Sequence, residues 1–212
     1  EVGEMIKKLG EGNIMATGYG RNLAEIAFEM PTVTEIKAHA VGAWSLFPGI
    51  SGVLDIGGQD SKAISLSSEG RVKKFEMNDR CAAGTGKFLE IMSERLGYGI
   101  SEFGGEALLA EDEISISSMC TVFAESEVTS LNAKCEDRRK IARGLHDSVV
   151  RRAASMVSRI IQDGDIAFSG GVANNPCVVN LLSRKLGRTV RVPEEPQFVG
   201  ALGAALLARG AA

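Results

Sequence analysis

Cysteine, aromatic residues and net charge are all scarce in this chain of 212 residues. It contains 4 Cys, and aromatic residues make up 5% of it. Four scattered thiols are too few for a disulfide scaffold, so they raise the question of thiol or metal chemistry instead. The 24 Lys and Arg nearly balance the 27 Asp and Glu. The sequence therefore provides no electrostatic argument for nucleic acid or an anionic membrane as the main partner.

Long apolar runs are missing as well. The longest runs, such as 201–208, are much shorter than the roughly 20 residues of a membrane-spanning helix, and no charged-then-apolar signal segment opens the sequence. We therefore predict a soluble, cytoplasmic protein. With 44% apolar residues, the chain can form one generous domain or two lobes with a buried core.

Glycine, by contrast, is abundant, with 25 residues, which favours tight turns and close backbone approaches. Strand and helix patterns alternate between the turns, so we predict an α/β fold with a mixed sheet. The run 52–77 predicts three strands in a β-meander. Other predicted strands are 13–16, 33–36, 114–117, 166–168 and 189–192. Predicted helices are 1–9, 22–29, 37–46, 87–96, 120–133, 137–161, one that ends at 186, and 200–209.

The segment DIGGQDSK, from Asp55 to Lys62, places two glycines between two predicted strands. Backbone N–H groups at such a turn can approach an anion closely, and a lysine can offset phosphate charge. The candidate phosphate-binding residues are Gly57, Gly58, Gln59 and Lys62. The carboxylates of Asp55 and Asp60 can hold Mg²⁺ or orient a water molecule. The alternative is an ordinary hairpin with two solvated aspartates.

A second glycine turn, SGGVANN at 169–175, follows a buried strand and precedes a predicted helix. Its N–H groups and the helix dipole favour a diphosphate, or let an adenosine pack against the backbone. The candidate residues here are Gly170, Gly171, Val172 and Asn174. One such turn would be weak support, but two turns of this kind predict a nucleotide site.

Cys81 and Cys120 each lie just before a predicted helix, and no Cys-x-x-Cys pair of the zinc-finger type occurs. The partial positive charge of a helix start stabilises a thiolate and any anionic cluster that it ligates. A 4Fe–4S cluster needs four thiolates, so two identical chains that supply two each would complete one across a two-fold axis. The alternative is that both are buried structural cysteines. We expect the same of Cys177, whereas Cys135, which lies in a charged stretch, is either structural in this way or merely exposed.

Glu35 and His39 lie one turn apart on a predicted helix. This spacing is compatible with a functional pair near the nucleotide, or with a local structural hydrogen bond.

Four segments resemble the activator proteins of 2-hydroxyacyl-CoA dehydratases, which form one family with the ATPase subunits of benzoyl-CoA reductase. The segments are DIGGQDSK, MNDRCAAGTGKF at 77–88, CTVFAESEV at 120–128 and SGGVANN. The resemblance implies the two-lobed fold of actin, the heat-shock ATPases and the sugar kinases. On this basis we expect an N-terminal lobe within 1–50, a C-terminal lobe at 51–192, and a closing helix at 193–212 that returns to the first lobe.

The resemblance also implies a function. It implies a homodimer in which Cys81 and Cys120 of both chains hold one bridging 4Fe–4S cluster. It also implies a site for ATP or ADP with Mg²⁺, and Asp55 and Asp60 are the expected catalytic residues of this site. ATP hydrolysis in such anaerobic proteins drives a low-potential electron from ferredoxin or flavodoxin into a dehydratase or reductase component. Alternatives are an ATPase subunit of a benzoyl-CoA-type reductase, a sugar or acid kinase without a cluster, and a non-catalytic nucleotide-binding protein.

One family feature has no counterpart in this sequence. The resemblance implies an Asp-x-Gly-Ser/Thr phosphate loop on the first hairpin of the N-terminal lobe, and no segment here matches it. We therefore expect an N-terminal lobe without that hairpin here, either because the chain is truncated, because the segment is omitted from this sequence, or because the protein has lost it. The assignment of ATP hydrolysis to this chain depends on that loop.

Overall fold

The computed structural model describes residue 4, residues 12–117 and residues 120–210. The helix predicted at 1–9 falls almost wholly outside these residues. The strands are β1 (Gly52–Ile56), β2 (Ser61–Leu66), β3 (Val72–Asn78), β4 (Ile166–Ser169) and β5 (Val190–Arg191). The helices are α1 (Arg21–Phe28), α2 (Glu35–Leu46), α3 (Gly86–Leu96), α4 (Ile100–Leu108), α5 (Thr121–Ala133), α6 (Arg138–Ile160), α7 (Pro176–Leu186) and α8 (Val199–Ala208).

The five strands form one mixed sheet in the order β3-β2-β1-β4-β5. The first three strands make the predicted antiparallel meander, which the structure confirms. Strand β4 pairs parallel to β1, and β5 pairs parallel to β4. Because β1 and β4 are parallel neighbours, their carboxyl ends lie side by side, and the glycine turns that follow them leave the sheet at the same edge.

Side chains of the central strands alternate between two cores, one on each face of the sheet. Leu54 and Phe168 enter the larger core, to which α3, α4, α6 and α7 contribute. Val53 and Ile64 enter the smaller core, to which α2 contributes. Strand β2 is buried along its whole length even though it carries Lys62. A charged side chain in such a strand requires compensating partners.

The last helix, α8, crosses α2 at very short range. A Cβ at Gly203 would collide with the carbonyl oxygen of Ala38, and a Cβ at Gly42 would collide with that of Val199. Only glycine permits this approach of the two backbones. The crossing joins α8 to a helix of the segment 1–50, while the division of the chain into lobes stays a prediction.

The longest helix, α6, has 23 residues. Asp137 caps its start by accepting a 2.8 Å hydrogen bond from the N–H of Arg139. Residues at helical spacing, among them Leu145 and Val149, are fully buried in the larger core. Within the described ranges, no helix, α6 included, combines the length and the apolar character needed to cross a membrane.

Three of the predicted strands are wrong. The strands at 13–16 and 33–36 reduce to one isolated bridge between Ala16 and Thr32, and α2 already begins at Glu35. The segment 114–117 has no regular secondary structure and is not a strand. Its Ile114 N–H donates to the carbonyl of Lys140 on α6, and Ile116 is buried in the larger core. Its apolar residues therefore pack against a helix, which an alternating pattern does not distinguish from packing in a sheet.

Helix α4 is absent from the sequence prediction because two adjacent glycines interrupt its pattern. The structure explains the first of them. A Cβ at Gly104 would collide with Oδ1 of Asn175, so α4 approaches the start of α7 only with glycine at this position. Gly105 has open space around its Cα and shows no such requirement.

Candidate functional site

The first glycine turn joins β1 to β2. It is closed by a 2.9 Å hydrogen bond from the N–H of Gly57 to the carbonyl of Asp60. Gly58 and Gln59 are exposed at its tip, whereas Asp60 is buried below it. The tip of the turn therefore exposes its backbone to solvent, whereas the carboxylate of Asp60 is buried beneath the tip.

The second glycine turn follows β4 and crosses directly over the end of β1. Gly170 has a φ of 87°, and a Cβ there would collide with the carbonyl oxygen of Ile56. Both the conformation and the close approach require glycine. The chain then forms a short 3₁₀ turn, Gly171–Asn174, before α7 begins.

The two turns face each other across a cleft of about 380 Å³, within the usual size of a small-molecule site. The starts of α3 and α4 form its other walls. The lining residues include Gly57, Gly58, Gly86, Leu89, Ile100, Ser101, Gly104, Gly171, Val172, Asn174, Asn175 and Gln197. The structure thus brings five of the predicted nucleotide residues together in one cleft, namely Gly57, Gly58, Gly171, Val172 and Asn174.

The other candidates near the first turn lie outside the lining of this cleft. Lys62 is almost completely buried, and its Nζ lies 2.7 Å from Oδ1 of Asp60 and 3.4 Å from Oδ2 of Asp55. A third carboxylate, from Glu35 on α2, lies 3.3 Å from the same nitrogen. We predicted that Lys62 offsets phosphate charge, but in this structure its charge is engaged by protein carboxylates.

The balance of charge around Lys62 favours its protonated form. Burial disfavours the charge, but the hydrogen bond to Asp60 and the charges of Asp55, Glu35 and Asp60 outweigh it, so the pKa of Lys62 is raised above its usual value. Three carboxylates and one ammonium leave an excess of negative charge below the first turn, which suits a cation.

Two further side chains from the first fifty residues reach this cluster. Nδ1 of His39 lies 3.1 Å from Oγ of Ser169, which in turn donates a 3.0 Å hydrogen bond to Asp55. The hydroxyl of Tyr19 donates a 2.9 Å hydrogen bond to Asp60, which raises the pKa of Tyr19. Sequence reasoning missed Tyr19 and Ser169 as members of the cluster, because nothing in their spacing relates them to the aspartates.

Glu35 and His39 therefore do not act as a pair with each other in the described contacts. Glu35 reaches Lys62 on β2, and His39 reaches Ser169 on β4 and Asp55 on β1. Their spacing on α2 places both side chains toward the end of the sheet. The expectation of a local hydrogen bond between them is wrong, and a functional role for the two residues near the nucleotide stays a prediction.

The four cysteines differ in environment. Cys120 is exposed and forms the N-cap position of α5 without using its side chain as a cap, and Cys81 is half-buried. Cys135 is exposed, which agrees with the second of its two expected roles. Cys177 is buried, and burial raises the pKa of its thiol to about 11. Among the described residues, no group of three or more His, Cys, Asp or Glu side chains is placed to hold a metal ion within one chain.

The loop that contains Cys81 is tied to the structure on both sides. The side-chain amide of Asn78 donates a 2.9 Å hydrogen bond to the carbonyl of Cys81, and Thr85 Oγ1 donates one of 2.6 Å to the carbonyl of Ala82. Helix α3 follows this loop and packs on α5, to which an ion pair between Arg95 and Glu125 also joins it.

The start of α3 is bonded directly to the first glycine turn. The N–H groups of Gly86 and Lys87 donate hydrogen bonds of 2.8 Å to the carbonyls of Gly57 and Gly58. A Cβ at Gly86 would lie 3.0 Å from the Gly57 oxygen and 3.2 Å from a methyl of Val172. Backbone hydrogen bonds therefore connect the cleft wall to the helix start that follows the Cys81 loop.

The mixed sheet with helices on both faces and the similar solved structures identify the fold of actin, the heat-shock ATPases and the sugar kinases, as the resemblance implied. Within that class, the chain belongs to the BadF/BadG/BcrA/BcrD ATPase family, whose model matches residues 2–208. The fold and the family predicted from the sequence are thus confirmed.

Similar proteins cover most of the chain. It is 44% identical over 208 residues to the activator of lactoyl-CoA dehydratase from Anaerotignum propionicum, over 98% of this chain and 79% of that one. The solved activator of the 2-hydroxyisocaproyl-CoA dehydratase from Clostridium difficile, with bound ADPNP, has a TM-score of 0.89 and 39% identity, over 98% of this chain and 78% of that one. A benzoyl-CoA reductase subunit from Thauera aromatica is 30% identical, over 91% of this chain and 70% of that one.

Proposed function

We propose that this chain is an ATP-dependent activator that passes a low-potential electron from ferredoxin or flavodoxin to a 2-hydroxyacyl-CoA dehydratase or a related reductase. The observation that carries the proposal is the pair of backbone hydrogen bonds from Gly86 and Lys87 to Gly57 and Gly58. They connect the nucleotide cleft to the loop that holds Cys81. A change of nucleotide that moves the turn must also move the start of α3 and this loop.

The cleft is the proposed nucleotide site. In this assignment the first turn, with Gly57, Gly58 and Gln59, binds phosphate through its backbone. The second turn, with Gly170, Gly171, Val172 and Asn174, packs against the adenosine. The support is that most of these residues line one cleft, and that a structural relative with 39% identity is described with bound ADPNP. Lys62 acts here indirectly, by holding Asp60 in place below the turn.

Asp55 and Asp60 are the proposed catalytic carboxylates, which hold Mg²⁺ or orient the attacking water. Mg²⁺ is commonly bound by one or two carboxylates together with substrate phosphates and water, so a complete protein cage is not required. The excess of carboxylate over ammonium below the turn fits such an ion. When bound, Mg²⁺ would neutralise phosphate charge, while the chain keeps Asp60 oriented through Tyr19 and Lys62.

Cys81 and Cys120 are the proposed ligands of one 4Fe–4S cluster shared by two copies of the chain. The accessible thiol of Cys120 at a helix start and the half-buried Cys81 fit thiolate ligands at a surface. One chain offers only two such thiols, so a homodimer is needed to complete four. The cluster would supply one-electron chemistry at low potential, and the chain's own part is to orient the two thiol-bearing segments.

Sequence identity to known relatives helps to choose between a separate activator of a dehydratase and a permanent subunit of a reductase. The lactoyl-CoA dehydratase activator is 44% identical to this chain, whereas the benzoyl-CoA reductase subunit is 30% identical. The difference favours a separate activator over a built-in reductase subunit. A sugar or acid kinase of the same fold would leave the accessible Cys120 without a role.

The cluster assignment is tested by anaerobic reconstitution with iron and sulfide. We expect a dimer with absorbance near roughly 400 nm and about two iron atoms per chain. Cys81→Ser and Cys120→Ser should each abolish that absorbance, whereas Cys135→Ser, a change at another exposed thiol, should leave it intact. Full absorbance in either of the first two variants, or in a monomer, would refute the proposed ligand set.

The nucleotide assignment is tested separately with MgATP. Asp60→Ala should lower MgATP hydrolysis and binding while the cluster absorbance is retained. Asp163→Ala, at an exposed turn, is the matched control and should change neither. Loss of absorbance together with MgATP binding in Asp60→Ala would mean that this aspartate has only a structural role.

A further inference from the structure

Behind the wall of the cleft lies a histidine to which the proposed mechanism assigns no role. His146 is on α6 and has no exposed surface. Its ring packs against Phe103 of α4, with the ring centroids 4.6 Å apart. An imidazole enclosed in this way needs partners for both ring nitrogens, because an unpaired buried polar atom is costly.

Two hydrogen bonds determine the tautomer of His146. Nδ1 lies 2.7 Å from the carbonyl oxygen of Ala142. A carbonyl oxygen only accepts, so Nδ1 carries the proton. Nε2 lies 3.0 Å from Nδ2 of Asn175, the amide nitrogen, which donates to it. The ring is therefore neutral and serves as the acceptor for Asn175.

The other end of the Asn175 amide caps α7. Its Oδ1 accepts 3.1 Å hydrogen bonds from the backbone N–H groups of Cys177 and Val178. If the amide turned over, its NH₂ would face these two donors and its oxygen would face the lone pair of His146. His146 and the helix start thus select the same amide orientation.

Asn175 is also part of the cleft wall, next to Asn174 and Pro176. Helix α4 also approaches it at Gly104, where a Cβ would collide with Oδ1. Asn175 is therefore in contact with both α4 and His146. At this point α4, α6 and α7 meet at the nucleotide cleft.

We propose that His146 is a positioning residue for nucleotide binding, because its Nε2 holds the Asn175 amide in the orientation that sets the start of α7 at the cleft. The inference rests on the proposed function, since it takes ADP or ATP as the ligand of the cleft. His146 acts only through Asn175.

The test compares the full chain with two variants that separate shape from hydrogen bonding. His146→Phe retains an aromatic ring against Phe103 but offers no acceptor, whereas the amide oxygen of His146→Gln can reach the place of Nε2. MgADP binding is measured by calorimetry at pH 8, and thermal unfolding is recorded for each protein. We expect His146→Phe to bind MgADP about ten-fold more weakly, with most of the affinity recovered in His146→Gln.

A histidine with a structural role alone would lower the Tm of the variants and leave the Kd for MgADP unchanged, and that result overturns the proposal. If the wild-type chain itself does not bind MgADP, the proposed function fails instead, so the two failures are distinguishable.

A second measurement does not depend on the folding of the His146 variants. The chain has 2 His, so the ring nitrogens of His146 are assigned by NMR once the spectrum of a His39 variant is known. The proposal requires the Nδ1–H tautomer in the wild-type chain. It also requires a changed Nε2 signal in Asn175→Asp, which can cap α7 but has no amide to donate. An Nε2–H tautomer, or an unchanged signal, overturns it.

Discussion

The folded chain is expected to lose stability in mildly acidic solution because His146 is buried in the neutral form. Burial lowers the pKa of this histidine from 6.5 to about 4, an effect that the hydrogen bond to Ala142 opposes and the charge of Arg143 reinforces. Above pH 6.5 the ring is neutral in both folded and unfolded chains. Between pH 6.5 and about 4, His146 is protonated in the unfolded chain but stays neutral in the folded chain.

The size of the effect follows from the difference in pKa. Each unit corresponds to about 1.4 kcal/mol, so the free energy of unfolding should fall by about 3 kcal/mol across the window from pH 6.5 to about 4. The sign is a loss of stability as the pH falls, since the unfolded state binds the additional proton.

Urea unfolding at several pH values, for the wild-type chain and for His146→Phe, measures this contribution. All other titratable groups are present in both proteins, so their contributions largely cancel in the difference. The variant is expected to be less stable at pH 8, because Asn175 loses its acceptor, but its stability should depend less steeply on pH. Parallel curves between pH 7 and pH 5 would refute the reasoning, since they would mean that folding does not keep His146 neutral.

Three further predictions concern the glycines, the buried lysine and the thiols. Gly86→Ala should weaken MgADP binding about ten-fold, because its Cβ would press on both glycine turns. Gly105→Ala, on the open surface of α4, should stabilise the chain by about 0.5–1 kcal/mol without changing the Kd for MgADP. Equal Kd values for the two variants would contradict this prediction. Lys62→Met should lower the free energy of unfolding, measured in urea, by about 3–5 kcal/mol, because it leaves three carboxylates without their cation. A change below about 1 kcal/mol would show that water already screens these carboxylates. In thiol labelling at pH 8, Cys120 should react at once and Cys177 only after unfolding, since burial raises the pKa of the latter to about 11; early labelling of Cys177 would place it outside the core.

Local signals predicted several elements well. Asp137 begins α6, and the glycine turn between β1 and β2 joins the meander, where the sequence places them. Such features depend on a few neighbouring residues, whose capping and turn preferences act over short range. The segment 114–117 shows the limit of this reasoning, because its alternating apolar pattern is satisfied by α6 as well as by a sheet.

The cluster around Lys62 shows a second limit. Asp55, Asp60 and Lys62 are close in sequence, and their chemistry was predicted together. Their partners Tyr19 and Ser169 are distant in the chain, and only the parallel pairing of β1 with β4 and the position of the early segments bring them to the same place. No local pattern encodes such contacts.

By itself, the sequence determined the family, the α/β class and the two glycine turns. Each of these can be recognised from short stretches of neighbouring residues, because turn and strand preferences act over short range. The tertiary structure alone decided which groups the motifs face. It enclosed Lys62 among carboxylates, bonded the start of α3 to Gly57 and Gly58, and placed neutral His146 behind Asn175. Those relations arise when distant segments bury their surfaces together, and burial is also what changes the pKa of His146.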